Sequence, residues 1–259
     1  MILFFTATGN DQYVAEAIAE RCGENEQALS ITELLWSERR ELSLQPFERF
    51  GLVTPTYFWG LPAPVVTFLE GLALDISQDP DPYTFVVATY GTTTGGLGAQ
   101  TNALFQRLGA PLKARFSVKM PDTWTPIFNL SDKTAVAEKV RRGDEQAHKV
   151  AHAIAAHVTG NHMGLSVPWA IAQHAYARYA PARQCYHLAV NDACIGCGLC
   201  ARQCPVRAIQ MRDNRPAWVK DRCAMCLGCL HRCPVNAITY NHATQGRGQY
   251  VHPGVKLPK

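Results

Sequence analysis

Cys194-Ile195-Gly196-Cys197-Gly198-Leu199-Cys200-Ala201-Arg202-Gln203-Cys204-Pro205 is followed, after seventeen further residues, by Cys223-Ala224-Met225-Cys226-Leu227-Gly228-Cys229-Leu230-His231-Arg232-Cys233-Pro234. Both halves read C-x2-C-x2-C-x3-C-P, and together they hold eight of the ten cysteines. They form an internal repeat with an offset of 29, in which Pro205-Val206-Arg207-Ala208-Ile209 maps onto Pro234-Val235-Asn236-Ala237-Ile238. Each proline turns the chain just after a cysteine, and each Ala-Ile begins a short strand that covers the cysteines with apolar atoms. Gly196, Gly198 and Gly228 let the backbone wrap closely, and Ala217–Val219 reads as a strand between the repeats. Four thiolates fill a structural zinc site, so two groups of three close cysteines plus a distant Cys-Pro fit zinc poorly. Disulfide scaffolds are usually small secreted chains that begin with a signal peptide.

The spacing resembles the bacterial two-cluster ferredoxin run. There, three closely spaced thiolates grip one face of an iron–sulfur cube and the fourth ligand comes from the other half. The resemblance implies one [4Fe–4S] cluster on Cys194, Cys197, Cys200 and Cys233. It implies a second on Cys223, Cys226, Cys229 and Cys204. Cys22 and Cys185 fall outside the pattern and read as plain buried thiols.

The chain has 259 residues, 47% hydrophobic and 18% charged, as expected of a globular protein of one large or two modest domains. No apolar run approaches the roughly 20 residues that span a bilayer. Met1–Phe5 lacks the basic flank of a signal peptide and reads as a buried strand. A cytoplasmic location is expected, in a cell living with little oxygen. Residues 1–160 carry 13 basic and 18 acidic side chains, a net −5; residues 161–259 carry 12 and 3, a net +9. Residues 191–240 alone carry 7 and 3, a net +4. Two oxidised clusters, each with a formal charge of about −2, cancel that excess. The basic balance therefore needs no nucleic acid. The opposed halves suit docking onto one another, or are two ordinary solvated surfaces.

Residues 1–160 alternate strands with helices. Strands are expected at Ile2–Phe5, Ala28–Ile31, Phe50–Val53, Tyr83–Thr89 and Arg115–Val118. Helices are expected after Asn10, over Pro64–Leu72 and Leu97–Leu108, and in a long segment capped by Ser131. This is an α/β pattern with a doubly wound five-stranded parallel sheet, which binds ligands at the carboxyl ends of its strands. Three loops leave those ends. Thr6-Ala7-Thr8-Gly9-Asn10-Asp11 joins hydroxyls to a helix N-terminus, a setting that favours phosphate. Pro55-Thr56-Tyr57-Phe58-Trp59-Gly60 and Tyr90-Gly91-Thr92-Thr93-Thr94-Gly95-Gly96 supply aromatics to flank a flat ring and glycines that admit its polar edge. No G-x-G-x-x-G follows the first strand, which disfavours a dinucleotide. The expected flavin mononucleotide (FMN) contacts are Thr6, Thr8, Gly9, Asn10, Pro55, Tyr57, Trp59, Tyr90, Gly91 and Gly95. Phe58 reads as core. Met120–Trp124 leaves the last strand at the same end, bordering either the flavin or the clusters.

Thr6, Thr8, Gly9 and Asn10 resemble the T/S-x-T-G-x-T phosphate loop of the flavodoxins, with Asp11 in place of its last hydroxyl. A carboxylate there costs phosphate affinity unless it points away; alternatively Thr8 and Asp11 form a capping box. The tail, with Thr244, Arg247, Gly248, Tyr250, His252 and Pro253, is similar to the T-x-x-R-G-R-Y-x-H-P ending of ferredoxins fused to an N-terminal flavodoxin-like domain. Gln249 replaces the second arginine. The implied organisation is a flavodoxin-like domain over 1–160, a helical linker over 161–190, a small α+β two-cluster ferredoxin domain over 191–240 and a docked tail over 241–259. The linker carries an amphipathic helix within 167–180. The implied function is electron transfer between two [4Fe–4S] clusters and FMN. The partner is a redox protein or a small-molecule acceptor. Two alternatives remain: a cluster-fed flavin reductase of a small organic substrate, and a flavin-free ferredoxin whose first domain only docks a partner.

Overall fold

The computed structural model describes residues 1–23 and 26–256; the last three residues of the tail, 257–259, lie outside it. The first half runs β1 (Ile2–Phe4), α1 (Asn10–Cys22), β2 (Ala28–Ser30), α2 (Ile31–Trp36), β3 (Glu41–Ser43), β4 (Phe50–Pro55), α3 (Ala63–Glu70), β5 (Ala73–Asp75), β6 (Thr84–Tyr90), α4 (Leu97–Arg107), β7 (Ala114–Lys119), α5 (Lys133–Ala155) and β8 (Gly160–His162). The second half runs α6 (Trp169–Tyr176), α7 (Tyr179–Ala182), β9 (Leu188–Val190), α8 (Leu199–Arg202), β10 (Ile209–Arg212), β11 (Arg215–Trp218), α9 (Gly228–His231) and β12 (Ile238–Tyr240).

The central sheet is parallel, in the order β2-β1-β4-β6-β7-β8. β3 and β5 pair only with each other. Without them the five expected strands take the flavodoxin-like order 2-1-3-4-5. Successive strand residues face opposite sides of a sheet, and this decides both cores. Leu3, Phe5, Leu52, Val86 and Ala88 pack under α3 and α4. Ile2, Phe4, Val53, Val87 and Val118 pack under α1 and α5.

Four details differ from the sequence reading. A sixth strand, β8, extends the sheet at its edge through Ala114↔Gly160 to Phe116↔His162. Its exposed Gly-Asn-His carries no apolar alternation to reveal it. Asp132, not Ser131, caps α5, accepting the Ala135 N–H at 2.9 Å. The Thr8–Asp11 capping box does not form, because Gly9 in the left-handed region, at φ 98°, is the residue that precedes α1. The linker helix breaks into α6 and α7, since Pro181 has no N–H for the carbonyl of Ala177.

In the second half, Ile209 and Ile238 each open a strand, as the repeat implies: β10 pairs with β11 and β12 with β9, both antiparallel. The two halves pack against each other at a junction beside the cysteine repeat. Tyr57 and Phe58 meet Tyr179, Met225 and Leu227 there. The Tyr179 hydroxyl donates to the Ala224 carbonyl at 2.6 Å and accepts the Ala63 N–H at 3.3 Å. Among the described residues no lysine or arginine salt bridge joins residues 1–160 to the rest, and the His252 ring is hydrogen-bonded to Asp144 at 3.0 Å. The junction is therefore apolar and hydrogen-bonded, and opposed net charge plays little part in it.

Candidate functional site

The cysteine repeat builds two cavities. One, with about 330 Å³ of empty space, is lined by Cys194, Cys197, Cys200 and Cys233. The other, with about 470 Å³, is lined by Cys204, Cys223, Cys226 and Cys229. Each cavity brings together the four cysteines that the ferredoxin resemblance implies for one cluster. The repeat also copies its backbone. Gly196 and Met225, Gly198 and Leu227, and Arg207 and Asn236 all have positive φ at equivalent positions. Met225 and Leu227 hold that conformation without being glycine, at about 1–2 kcal/mol each. Gly228 is not left-handed. It opens α9 with the Ala7 carbonyl 3.3 Å from where a Cβ would stand, so it admits the first loop against the repeat.

The Ala208 N–H donates to Cys204 Sγ and the Ala237 N–H to Cys233 Sγ, both at 3.2 Å. Such bonds, with burial, tune a cluster's potential. The half-buried Arg232 lines the second cavity; its Nη1 donates to Gln203 at 2.9 Å and its Nε has no protein partner. A buried cation with an unused donor fits an anionic occupant. Burial pushes the Cys200 and Cys226 thiols up to about 11, which favours their neutral form where no cation is bound. Cys185 is buried with its thiol against Cys223, outside both quartets.

Residues 188–234 match the family model described as a 4Fe-4S dicluster domain. This part of the chain is a 4Fe–4S dicluster domain. Together with the strand order above, the match makes the chain a flavodoxin-like domain joined to a dicluster domain. No curated protein matches the chain. Among solved structures it is similar to the two-electron reduced flavodoxin of Megasphaera elsdenii at 14% identity, over 59% of this chain and 99% of that one, with a TM-score of 0.32. It is similar to the rubredoxin oxygen:oxidoreductase of Desulfovibrio gigas at 15% identity, over 59% of this chain but 36% of that one, with a TM-score of 0.32. It is similar to a flavone reductase at 10% identity, over 95% and 86% of the two chains, with a TM-score of 0.37. The fold assignment rests on strand order rather than on these low-scoring likenesses.

A third cavity opens at the carboxyl ends of β1, β4, β6 and β7, with about 1080 Å³ of empty space including its mouth. Its far wall is Met225 and Cys226, so the dicluster domain closes the cleft of the flavodoxin-like domain. Of the expected contacts, Thr8, Asn10, Pro55, Tyr57, Trp59, Tyr90 and Gly91 line it. Three do not. Thr6 faces the second cysteine cavity and its hydroxyl accepts the Gly9 N–H at 3.0 Å. Gly9 is covered by the tail, with Val255 Cγ2 2.4 Å from where a Cβ would stand. Gly95, at φ +54°, is pressed against the Trp59 backbone.

The Tyr57–Gly60 turn exchanges both backbone hydrogen bonds, with Phe58 and Trp59 at positive φ, which is a type I′ turn. Two aromatics in a conformation that favours glycine store strain, and strain of this kind gathers at working sites. The turn sends Phe58 to the junction, stacked on Tyr179 at 5.4 Å, and leaves Trp59 in the cleft. Met120–Trp124 borders the cleft, and Trp124 lines neither cysteine cavity. Trp124 meets Tyr240 of the dicluster half edge-on at 5.4 Å. The aromatic walls and the buried, unpartnered hydroxyl of Thr56 fit a flat heteroaromatic ring with a polar edge.

Thr89 is a cleft residue that sequence reasoning missed, while Asp11, the departure in the phosphate loop, and Asp122, within Met120–Trp124, both line the cleft. The Asp11 carboxyl is 3% exposed and accepts the Thr89 hydroxyl at 2.7 Å. Burial pushes its pKa up to about 7 and also raises that of Asp122. The tail docks as expected. His252 is buried: its Nε2–H donates to Asp144 at 3.0 Å, its Nδ1 accepts the Gly254 N–H, and its ring stacks on Tyr13 at 4.3 Å. That is a structural role. Gln249, the departure from the family ending, donates to the carbonyls of Leu230 and Cys233 at 2.6 and 2.8 Å.

Proposed function

We propose that the chain is an intramolecular electron-transfer protein, linking two [4Fe–4S] clusters in the cysteine cavities to a flavin, FMN in the first instance, in the cleft. The observation that carries this is Cys226, which lines both the second cysteine cavity and the cleft. When bound, the clusters supply single electrons and the flavin exchanges one or two, so the pairing converts one-electron supply to two-electron chemistry. The protein's own part is placement. Trp59 and Tyr90 bound the ring slot, Met225 and Cys226 bring the dicluster wall to it, and Arg232 offsets negative charge beside the second quartet. Ile195 is 64% exposed and Cys197 is exposed beside the first quartet, which therefore faces solvent and suits exchange with an external redox partner. No helix among the described residues is long and apolar enough to cross a membrane.

One observation favours the reductase reading as a second. The cleft mouth carries Ile127, 65% exposed, as an apolar lip where a small organic acceptor can lie against the ring. The absorption spectrum of anaerobically purified protein tests the proposal. Resolved flavin bands over a broad sulfur-to-iron shoulder are expected. Iron and sulfide with no flavin, even after incubation with excess FMN, would sink it and leave a flavin-free ferredoxin.

A further inference from the structure

In a phosphate loop, hydroxyls and backbone N–H groups turn toward the ligand. Here the side chains of Thr6, Asn10 and Asp11 already have partners within the protein. The Thr89 hydroxyl donates to Asp11 at 2.7 Å, and the Thr6 hydroxyl accepts the Gly9 N–H within the loop at 3.0 Å. Asn10 Oδ1 accepts the Tyr250 hydroxyl at 2.7 Å, and the Thr8 carbonyl accepts the His252 N–H at 2.8 Å. The tail thus seals the outer side of the loop, and the Asp11 carboxyl faces the cleft from the position of the loop's last hydroxyl. Among the described residues no lysine, arginine or histidine lines the cleft, and Asp122 adds a second carboxyl. Tyr57, Tyr90 and Cys226 are the other titratable groups on the cleft wall, and Tyr250 also lies near Asp11. Nothing basic offsets a phosphate dianion there.

We propose that Asp11 is a built-in anion at the phosphate end of the cleft, so that the site selects a flavin by its ring and polyol chain and takes phosphate-free riboflavin at least as tightly as FMN. The chemistry is complementary. A carboxylate only accepts hydrogen bonds. The terminal hydroxyl of riboflavin donates one, whereas a phosphate dianion offers only acceptors and a like charge. This rests on the reading of the cleft as a flavin site, and the test separates the two.

Full-length, cluster-bearing protein is stripped of flavin anaerobically and titrated with FMN and with riboflavin, following flavin fluorescence at pH 8.5. Burial holds the Asp11 pKa near 7, so the group is ionised there. In the wild type the Kd for FMN is expected to equal or exceed that for riboflavin. In Asp11→Asn, which keeps an acceptor for Thr89, and in Asp11→Thr, the FMN-to-riboflavin Kd ratio is expected to fall at least about tenfold. A wild-type protein that binds FMN at least about tenfold more tightly than riboflavin would overturn the inference and leave the flavin reading intact; this arm depends on no variant. An unchanged ratio in both folded variants would also overturn it. Failure of both flavins to bind wild type and variants alike would sink the flavin reading itself.

Discussion

Asp11→Asn has a consequence for stability that is independent of any ligand. In the folded chain the carboxyl titrates at about 7, against 3.8 for an unburied aspartate. Between those values the native state holds one more proton than the unfolded chain, so stability falls as pH rises and levels off above about 7. At about 1.36 kcal/mol per pKa unit, ionised Asp11 costs the fold up to about 4 kcal/mol. That is an upper bound, because the carboxyl sits in the first turn of α1, where the helix dipole favours negative charge. Asparagine keeps the Thr89 hydrogen bond and carries no charge. Thermal unfolding of anaerobic, cluster-bearing protein from pH 5 to 8.5, at one scan rate because cluster loss makes it irreversible, reads the difference. The variant should gain on the wild type as pH rises toward 7, by an amount on the order of 10 °C at most, and the gap should then stay constant. Parallel profiles, or a variant less stable than the wild type at pH 8.5, would refute the placement of an uncompensated buried carboxyl at that site.

Iron content checks the crosswise ligand sets. Cys194→Ala and Cys233→Ala should each lower iron from about eight to about four atoms per chain, and so should the two together, whereas Cys194→Ala with Cys204→Ala should remove nearly all of it. Cys185→Ala should leave iron unchanged. Tyr179→Phe removes the hydroxyl that joins Ala63 to Ala224 and strands a buried carbonyl and a half-buried N–H, so a loss of about 1–3 kcal/mol is expected in the melting of the holoprotein. Trp59→Ala, which empties one wall of the ring slot, should weaken flavin binding in a fluorescence titration while iron and sulfide stay at wild-type levels.

The grouping of the cysteines was legible because the repeated C-x2-C-x2-C-x3-C-P spacing resembles the two-cluster ferredoxin run, and the same groups line the two cysteine cavities. The sheet was legible because Ile2–Phe4, Phe50–Pro55 and Thr84–Tyr90 are apolar runs buried on both faces. What escaped depends on direction rather than composition. Nothing in Thr6–Asp11 says that Asp11 turns inward to Thr89, 78 positions away, or that Val255 and His252 seal Gly9. Gly95 looks like a ligand-facing glycine, but its missing side chain makes room for Trp59. β8 escaped because its pairing rests on backbone groups alone. The shared wall at Cys226 was beyond reach because periodicity is silent on how two domains dock.

The central claim is that electrons pass within one molecule between the clusters and the flavin. A light-generated reductant pulse applied to anaerobic, flavin-loaded protein, with the cluster and flavin absorption bands followed in time, tests it most directly. Cluster bleaching that recovers as the flavin band bleaches, at a rate independent of protein concentration, is the predicted result. Clusters that stay bleached beside an unreduced flavin, or a transfer rate proportional to protein concentration, would contradict it.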